Sequence, residues 1–305
     1  MTITANPPQK QKTPKEIFFK VLHYASLLLL LAFILMPIYV MFAGSFKPME
    51  EMIPSKAFYL PTNLSFADCG NTGSNFTNNF QNGGCNWVFA WSALSDTMFR
   101  TFTIVIQSTL ISAFLGSING FILARWRFPY SNLVFTLFLF GMFIPYQAIM
   151  LPLVQIFVGT GLNRTIYALV ISHVIYGIPI VTLIFRNFYA QIPNELIEAA
   201  RVDGAGMFST YLKIILPLSW PAFIVVLIWQ FTSAWNDFLF AAFLTGGNPR
   251  LSVVTTTLNF LNGGAIVNYG INMAAAVIAS LPTLIVYILL GRYFIRGMLA
   301  GSLKS

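Results

Sequence analysis

Six stretches of this chain are apolar for long enough to leave it few folds to choose from. They run approximately over Val21–Ala43, Thr101–Leu123, Leu133–Phe157, Ile166–Ile184, Leu218–Phe243 and Met273–Phe294. About 20 apolar residues wound as a helix match the hydrocarbon thickness of a bilayer. Only 9% of the residues are charged and the mean hydropathy is +0.73, whereas a soluble domain carries roughly a quarter charged residues. Lipid cannot satisfy exposed backbone groups, so a spanning segment is either a helix or part of a closed barrel. The repeated ten-residue alternation of a barrel is absent. The sequence therefore predicts an all-α integral membrane protein with six transmembrane helices. Residues 1–20 form a leading segment and 21–305 a single transmembrane domain. Pro37, Pro145, Pro152, Pro179, Pro221 and Pro282 fall inside these runs. They are read as kinks rather than ends, since membrane helices tolerate proline.

Orientation follows from the basic residues, which are enriched on the cytoplasmic side. One set of connecting segments holds Lys10, Lys12, Lys15, Lys20, Arg125, Arg127, Arg186, Arg201, Lys213, Arg292, Arg296 and Lys304, which is 12 of the 17. The other set holds Lys47, Lys56, Arg100, Arg164 and Arg250. Both termini and the loop between the fourth and fifth spans are thus expected in the cytoplasm. The net charge of +8 follows this topology rather than forming one patch, which argues against a nucleic-acid partner. The first apolar run is longer than the usual 7–15-residue signal core and no A-x-A-like site follows it, so it reads as an uncleaved span. There is no internal repeat of fixed period.

Chemistry-bearing motifs are mostly missing. No G-x-x-x-x-G-K-[ST] occurs, so the chain has no P-loop of its own for ATP. No His-Glu-x-x-His and no cysteine pair at zinc spacing points to a metal, and no nucleophile constellation appears. His23 and His173 read as hydrogen-bonding struts in a bundle. Cys69 and Cys85 both fall in the first external loop, residues 44–100, which is rich in Asn and Gly between them. In an oxidising compartment they would form a disulfide that staples a loop with little core; the other reading is two unpaired small residues.

The loop over residues 186–217 carries the most information. Pro193 suits a first helical turn, and Glu195 and Glu198 suit the positive end of the helix dipole. Leu196, Ala199, Ala200 and Asp203 share a face by their spacing, and two alanines there let another surface come close. Gly204 ends the helix in the left-handed conformation. Tyr211–Ile215 resumes a helix that Pro217 redirects into the fifth span. An interfacial amphipathic helix would be longer, more apolar and more basic; the short small-residue face suits a protein groove better.

The same loop matches EAA-x3-G-x9-I-x-L-P at every fixed position, through Glu198-Ala199-Ala200, Gly204, Ile214, Leu216 and Pro217. That pattern resembles the loop by which permease subunits of bacterial ABC importers grip their ATPases. Ser45-Phe46-Lys47-Pro48, Ala124-Arg125-Trp126-Arg127-Phe128, Ile144-Pro145-Tyr146-Gln147, Gly161-Leu162-Asn163-Arg164-Thr165, Trp235-Asn236-Asp237 and Arg296-Gly297-Met298-Leu299-Ala300-Gly301 resemble the carbohydrate-uptake branch of these permeases. The chain is similar to the six-span second permease of maltose-type importers, over nearly its whole length. The cysteine-bearing external loop is the clearest departure.

The resemblance implies an inner-membrane subunit that imports sugars or glycosides, compatible solutes included, and is not itself an enzyme. It implies as partners a second, related permease, two ATPase subunits that carry ATP and Mg, and a periplasmic solute-binding protein. Glu198, Ala199, Ala200, Asp203 and Gly204 would couple to the ATPase. The stretch Gly246–Asn272 corresponds to an external loop that in the family can probe the binding protein. Within the fifth span Gln230, Ser233, Asn236 and Asp237 form a polar stripe, with Phe231, Trp235 and Phe238 available to stack on a sugar. Such a stripe lines a water-filled path, or Asp237 pins the helix to a partner near the interface. A self-sufficient secondary transporter would need ionisable groups near the midplane, and Asp237 is the one acidic residue in any span. A membrane-embedded enzyme would need a catalytic constellation that the sequence lacks.

Overall fold

Backbone groups that meet lipid must pair within their own segment, and in a computed structural model of the protein they do so as helices. The structure describes residues 14–66, 69, 82–126, 128–263 and 267–302, with side chains to 293. The Asn/Gly-rich stretch 70–81, the leading residues 1–13, Arg127 and the side chains of Arg296–Gly301 lie outside the described residues. Among the described residues twelve α-helices follow one another: α1 (Pro14–Gly44), α2 (Cys85–Arg125), α3 (Ser131–Phe143), α4 (Met150–Gly159), α5 (Ile166–Ala190), α6 (Asn194–Val202), α7 (Met207–Thr210), α8 (Leu216–Leu218), α9 (Trp220–Trp235), α10 (Leu239–Leu244), α11 (Val254–Asn262) and α12 (Tyr269–Ser302). A π-turn, Tyr211–Ile215, joins α7 to α8. No strand occurs among the described residues.

Helices α1, α2, α5 and α12 are each long and apolar enough to cross a membrane. Among the described residues two bent pairs bring the number to six when each pair is counted as one span. Ser131–Phe143 meets Tyr146–Gly159 at 89°, and Met207–Leu218 meets Trp220–Trp235 at 75°. The third and fifth spans are therefore broken, where the sequence suggested mere kinks. Proline is the physical reason in both. Pro145 forces Ile144 into extended backbone (φ −70, ψ 117), as the residue before proline prefers. Pro221 sits in the first turn of α9, so the chain restarts rather than continues. Pro217 acts earlier than expected. It lies in the first turn of α8 and has no N–H for the Lys213 carbonyl, and the turn ahead of it widens to a π-turn. The bend itself falls at Ser219. By contrast Pro37, Pro179 and Pro282 lie inside continuous helices.

Helix α2 starts far ahead of the expected span. Its 41 residues reach about 60 Å at 1.5 Å per residue, twice the hydrocarbon thickness of about 30 Å. The extension is legible after the fact: Ala90, Leu94, Thr97 and Thr101 are buried at helical spacing, while Ser92, Ser95 and Asp96 face outward or lie half-buried.

The chain divides into two compact units, residues 1–87 with 269–274, and 88–268 with 275–305. In the first, the described part of the loop over residues 44–100 is built around polar groups. Lys47 is 2% exposed, and its Nζ donates to the carbonyls of Lys56 and Ala57. Burial lowers its pKa from the ordinary value, with Glu51 nearby opposing the shift. Glu51 accepts from the hydroxyl and the N–H of Thr62. The Asn86 amide donates to the carbonyls of Ser45 and Lys47, at 3.1 and 2.9 Å. Cys69 and Cys85 are joined by a disulfide, with Cα atoms 5.2 Å apart. Helix α1 exposes apolar side chains on every face, as a helix surrounded by lipid or by another subunit does.

The second unit holds two hydrophobic clusters. One gathers Ile104, Leu153, Phe157, Leu169, Phe240 and Leu244 from α2, α4, α5 and α10. The other gathers Phe121, Val181, Phe185, Tyr189, Ile197, Tyr211 and Val226 from α2, α5, α6, the π-turn and α9. Helices α2 and α5 touch closely because Gly116 and Gly120 carry no side chain. A Cβ on Gly116 would stand 2.4 Å from Val181 Cγ1, and one on Gly120 2.8 Å from the backbone N of Arg186. This is the small-x-x-x-small contact by which membrane helices pack. The segment Gly161–Thr165 turns through left-handed Gly161 and Arg164, and Thr165 caps α5 by accepting from Ala168 N.

Candidate functional site

The second unit holds a half-open cavity of about 420 Å³ at a second interruption of the fifth span, away from the bend at Ser219. Helix α9 ends at Trp235 and α10 begins at Leu239. The break is local chemistry: Asp237 folds back so that its carboxylate accepts from Phe240 N and Ala241 N, both at 3.3 Å. An acidic side chain at a helix start satisfies orphan N–H groups and meets the positive end of the dipole. Thr255 donates to the Asp237 carbonyl at 2.5 Å, tying the break to α11.

All four residues of the polar stripe, Gln230, Ser233, Asn236 and Asp237, line this cavity. Gln230 is 2% exposed. Its Nε2 donates to the His173 carbonyl at 3.0 Å, while its Oε1 has no protein partner among the described residues. The amide lies flat on α5 because residue 177 is glycine; a Cβ there would come within 2.4 Å of Gln230 Nε2. The His173 imidazole also lines the cavity, with Nε2 3.7 Å from Asp237 Oδ2, beyond hydrogen-bond length. Tyr146, Tyr176, Trp229, Phe238 and Phe240 complete the aromatic part of the wall, and among the described residues no Lys or Arg belongs to it.

Two expected stacking faces are elsewhere. Trp235 is 2% exposed, its Nε1 donates to the Ala279 carbonyl at 2.9 Å, and Phe231 stacks on its ring at 5.7 Å. Both serve the packing of α9 on α12 and α2 rather than the cavity, because they point from the opposite side of α9. Sequence reasoning passed over Tyr146, Tyr176 and Trp229, and took His173 as a strut. The available signal was spacing: His173, Tyr176 and Gly177 lie at i, i+3 and i+4 of one helix.

A second candidate surface is α6. Its end is a Schellman turn: Ala205 N donates to Ala200 O at 2.8 Å and Gly204 N to Arg201 O at 3.0 Å. Gly204 has φ +77, the left-handed conformation that closes this motif. Glu195, Glu198, Ala199 and Asp203 are exposed, as are Leu196 (42%) and Val202 (88%). Ala200 departs from the expected face. It is buried with Ile197, turned toward the protein's own cluster, because residues three apart from Ile197 share its side of the helix. The outward face is therefore Glu195, Leu196, Glu198, Ala199, Val202 and Asp203, with Phe208 of α7 exposed beyond it (65%).

Residues 116–300 match the family described as binding-protein-dependent transport system inner membrane component. Among curated proteins, the xylose/arabinose import permease protein XacI of Haloferax volcanii is 33% identical over 92% of this chain and 92% of its own length. The osmoprotective compounds uptake permease protein GgtD of Synechocystis sp. is 30% identical over 95% of each chain. The glucose import system permease protein GlcU of Saccharolobus solfataricus is 30% identical over 92% of this chain and 93% of its own. Among solved structures, a chain of a bacterial ABC transporter involved in the import of the acidic polysaccharide alginate shares the fold, with a TM-score of 0.76, 18% identity, and coverage of 94% of this chain and 100% of that one.

Proposed function

The chain belongs to the family of binding-protein-dependent transport system inner membrane components, and on that premise we propose that it forms half of the translocation path of an ATP-driven importer of sugars or glycosides, compatible solutes included. Its relatives named for sugars and osmoprotectants support that solute class. A second permease would supply the other half, two ATPase subunits the ATP and Mg, and a periplasmic binding protein the solute. Both termini and α6 would face the cytoplasm, the side favoured by the basic residues. The outward face of α6 would seat in a groove of the ATPase.

One observation carries the solute path: Gln230, Ser233, Asn236 and Asp237 converge on a single cavity with five aromatic side chains. Carboxylate, amide and hydroxyl groups accept and donate to sugar hydroxyls, and aromatic faces cover the ring's apolar side. Buried polar groups in a membrane bundle usually face such a path. The absence of Lys and Arg from the lining favours uncharged solutes over acidic ones.

The test is Asp237→Asn. The amide keeps the shape and one acceptor for the α10 cap but loses the charge-assisted bond to a hydroxyl. Uptake of the transported glycoside by reconstituted complex should fall about tenfold or more, with the partner permease recovered in full. Unchanged uptake, or a loss confined to assembly, would remove the cavity from the solute path.

A further inference from the structure

Behind α6 lies a polar joint that neither the solute path nor the docking face uses. Arg125 is the last residue of α2. Its Nε donates to the Tyr189 carbonyl at 2.9 Å, and its terminal nitrogens donate to the carbonyls of Tyr189 and Ile192 and to Asn194 Oδ1. One guanidinium thus occupies the carbonyl end of α5, where a cation is favoured, and also holds Asn194, the first residue of α6. Two turns back along α2, Ser117 Oγ lies 2.6 Å from Tyr189 Oη and 2.8 Å from Tyr211 Oη. Ser219 Oγ stands 3.1 Å from the same Tyr189 Oη. These four hydroxyls come from α2, α5, the π-turn and the bend before α9, and none is more than 3% exposed.

The consequence is mechanical. The start of α6 is gripped through Asn194 and Ile192, and the segment after α6 is gripped through Tyr211. Both grips end on α2 and α5. Hydrogen bonds of a buried cluster such as the four hydroxyls resist rearrangement, and the part-exposed Arg125 grip ties the start of α6 to the same two helices, so a push on α6 would move these helices together instead of bending a loop. The π-turn at Tyr211 is where that push enters the fifth span, and such turns concentrate at functional sites.

We propose that Arg125 and the Ser117–Tyr189–Tyr211–Ser219 hydroxyl cluster are positioning residues that convert movement of α6 into movement of the spans. The proposal rests on α6 being the helix that docks the ATPase. The cluster itself touches neither solute nor ATPase in this picture, so its loss should uncouple the two activities rather than abolish either.

The test uses the complete reconstituted complex, with glycoside uptake and ATP hydrolysis measured on the same vesicles. Tyr211→Phe keeps the ring and deletes one hydroxyl. Its ATPase subunits should co-purify as in the parent, and solute moved per ATP hydrolysed should drop about fivefold, the scale of one buried hydrogen bond. Arg125→Gln should lower the ratio further, and Arg125→Lys should fall between, since one ammonium cannot span the three acceptors that a planar guanidinium reaches. An unchanged ratio overturns the proposal. So does a proportional fall of uptake and hydrolysis, or loss of the ATPase from the Tyr211→Phe complex, because each marks a merely structural role. Val202→Glu, on the docking face, separates the premise from the proposal. If Val202→Glu retains the ATPase, the docking reading fails whatever the joint variants do. If it sheds the ATPase while the ratio in Tyr211→Phe stays unchanged, the joint alone falls.

Discussion

Gly177 is where one missing methyl shapes the cavity. The Gln230 amide rests against α5 at the place a Cβ would occupy, 2.4 Å from Nε2. The obstructing atoms are the far end of a flexible side chain, so Gly177→Ala should fold. The amide must then swing away and release the His173 carbonyl, which loses a buried bond worth about 1 kcal/mol. The expected outcome is an apparent affinity for the transported glycoside weakened about fivefold at unchanged complex yield, read from uptake against solute concentration. Unaltered kinetics would mean that Gln230 takes no part in the site. The polar stripe in the fifth span was legible from residue type and spacing, because ionisable and amide side chains are rare in lipid. Trp235 was misread for a related reason: spacing along α9 does not say which side of the helix meets α12. His173 and Tyr176 come from another helix, and no local pattern says that α5 will face α9 at the level of a broken turn.

At the scale of elements, the α2–α5 contact depends on Gly116 and Gly120. At Gly120 a Cβ would meet Phe185 Cβ at 2.6 Å and backbone at 2.8 Å, so neither neighbour can yield without the helices parting. Gly120→Leu should therefore cost about 1–3 kcal/mol or more by overpacking. A lower unfolding temperature of the detergent-purified complex would report it. Gly141→Leu is the matched control, since the nearest atom to a Cβ there, Pro179 Cγ, is 3.9 Å away. Equal stabilities for the two variants would refute the close-packing argument. The number and helical nature of the spans were readable from apolar length, while their breaks were not. Pro37, Pro179 and Pro282 sit in unbroken helices, and Pro145 and Pro221 sit at bends of 89° and 75°. Proline alone cannot tell these cases apart, because what decides is whether neighbouring helices and side chains supply the missing hydrogen bonds. The start of α2 was missed because Cys85–Arg100 is helix without being a membrane-length apolar run.

For the whole molecule, topology makes the separate elements answer to one another. In the proposed topology, six crossings would put both termini on one side. On that proposal the loop bearing Cys69 and Cys85, which follows the first crossing, would face the opposite compartment, and α6, which follows the fourth, would share the compartment of the termini. A disulfide persists in an oxidising compartment, and ATP is found in the other. The two cysteines of the chain are bonded to each other, so Glu198→Cys would introduce a lone thiol on an exposed position of α6. A membrane-impermeant maleimide should label that thiol in inside-out vesicles and leave it unlabelled in intact spheroplasts. Non-reduced peptide mapping of the same preparation should recover Cys69 and Cys85 in one linked fragment, closing a loop that contributes about 3 kcal/mol against the unfolded chain. Labelling from the outside would invert the whole assignment, since the basic-residue bias, the docking face and the disulfide all depend on the same parity. Free thiols at 69 and 85 with correct labelling of position 198 would leave the topology standing and remove only the staple, and the external loop would then have to be held by the Lys47, Glu51 and Asn86 contacts alone.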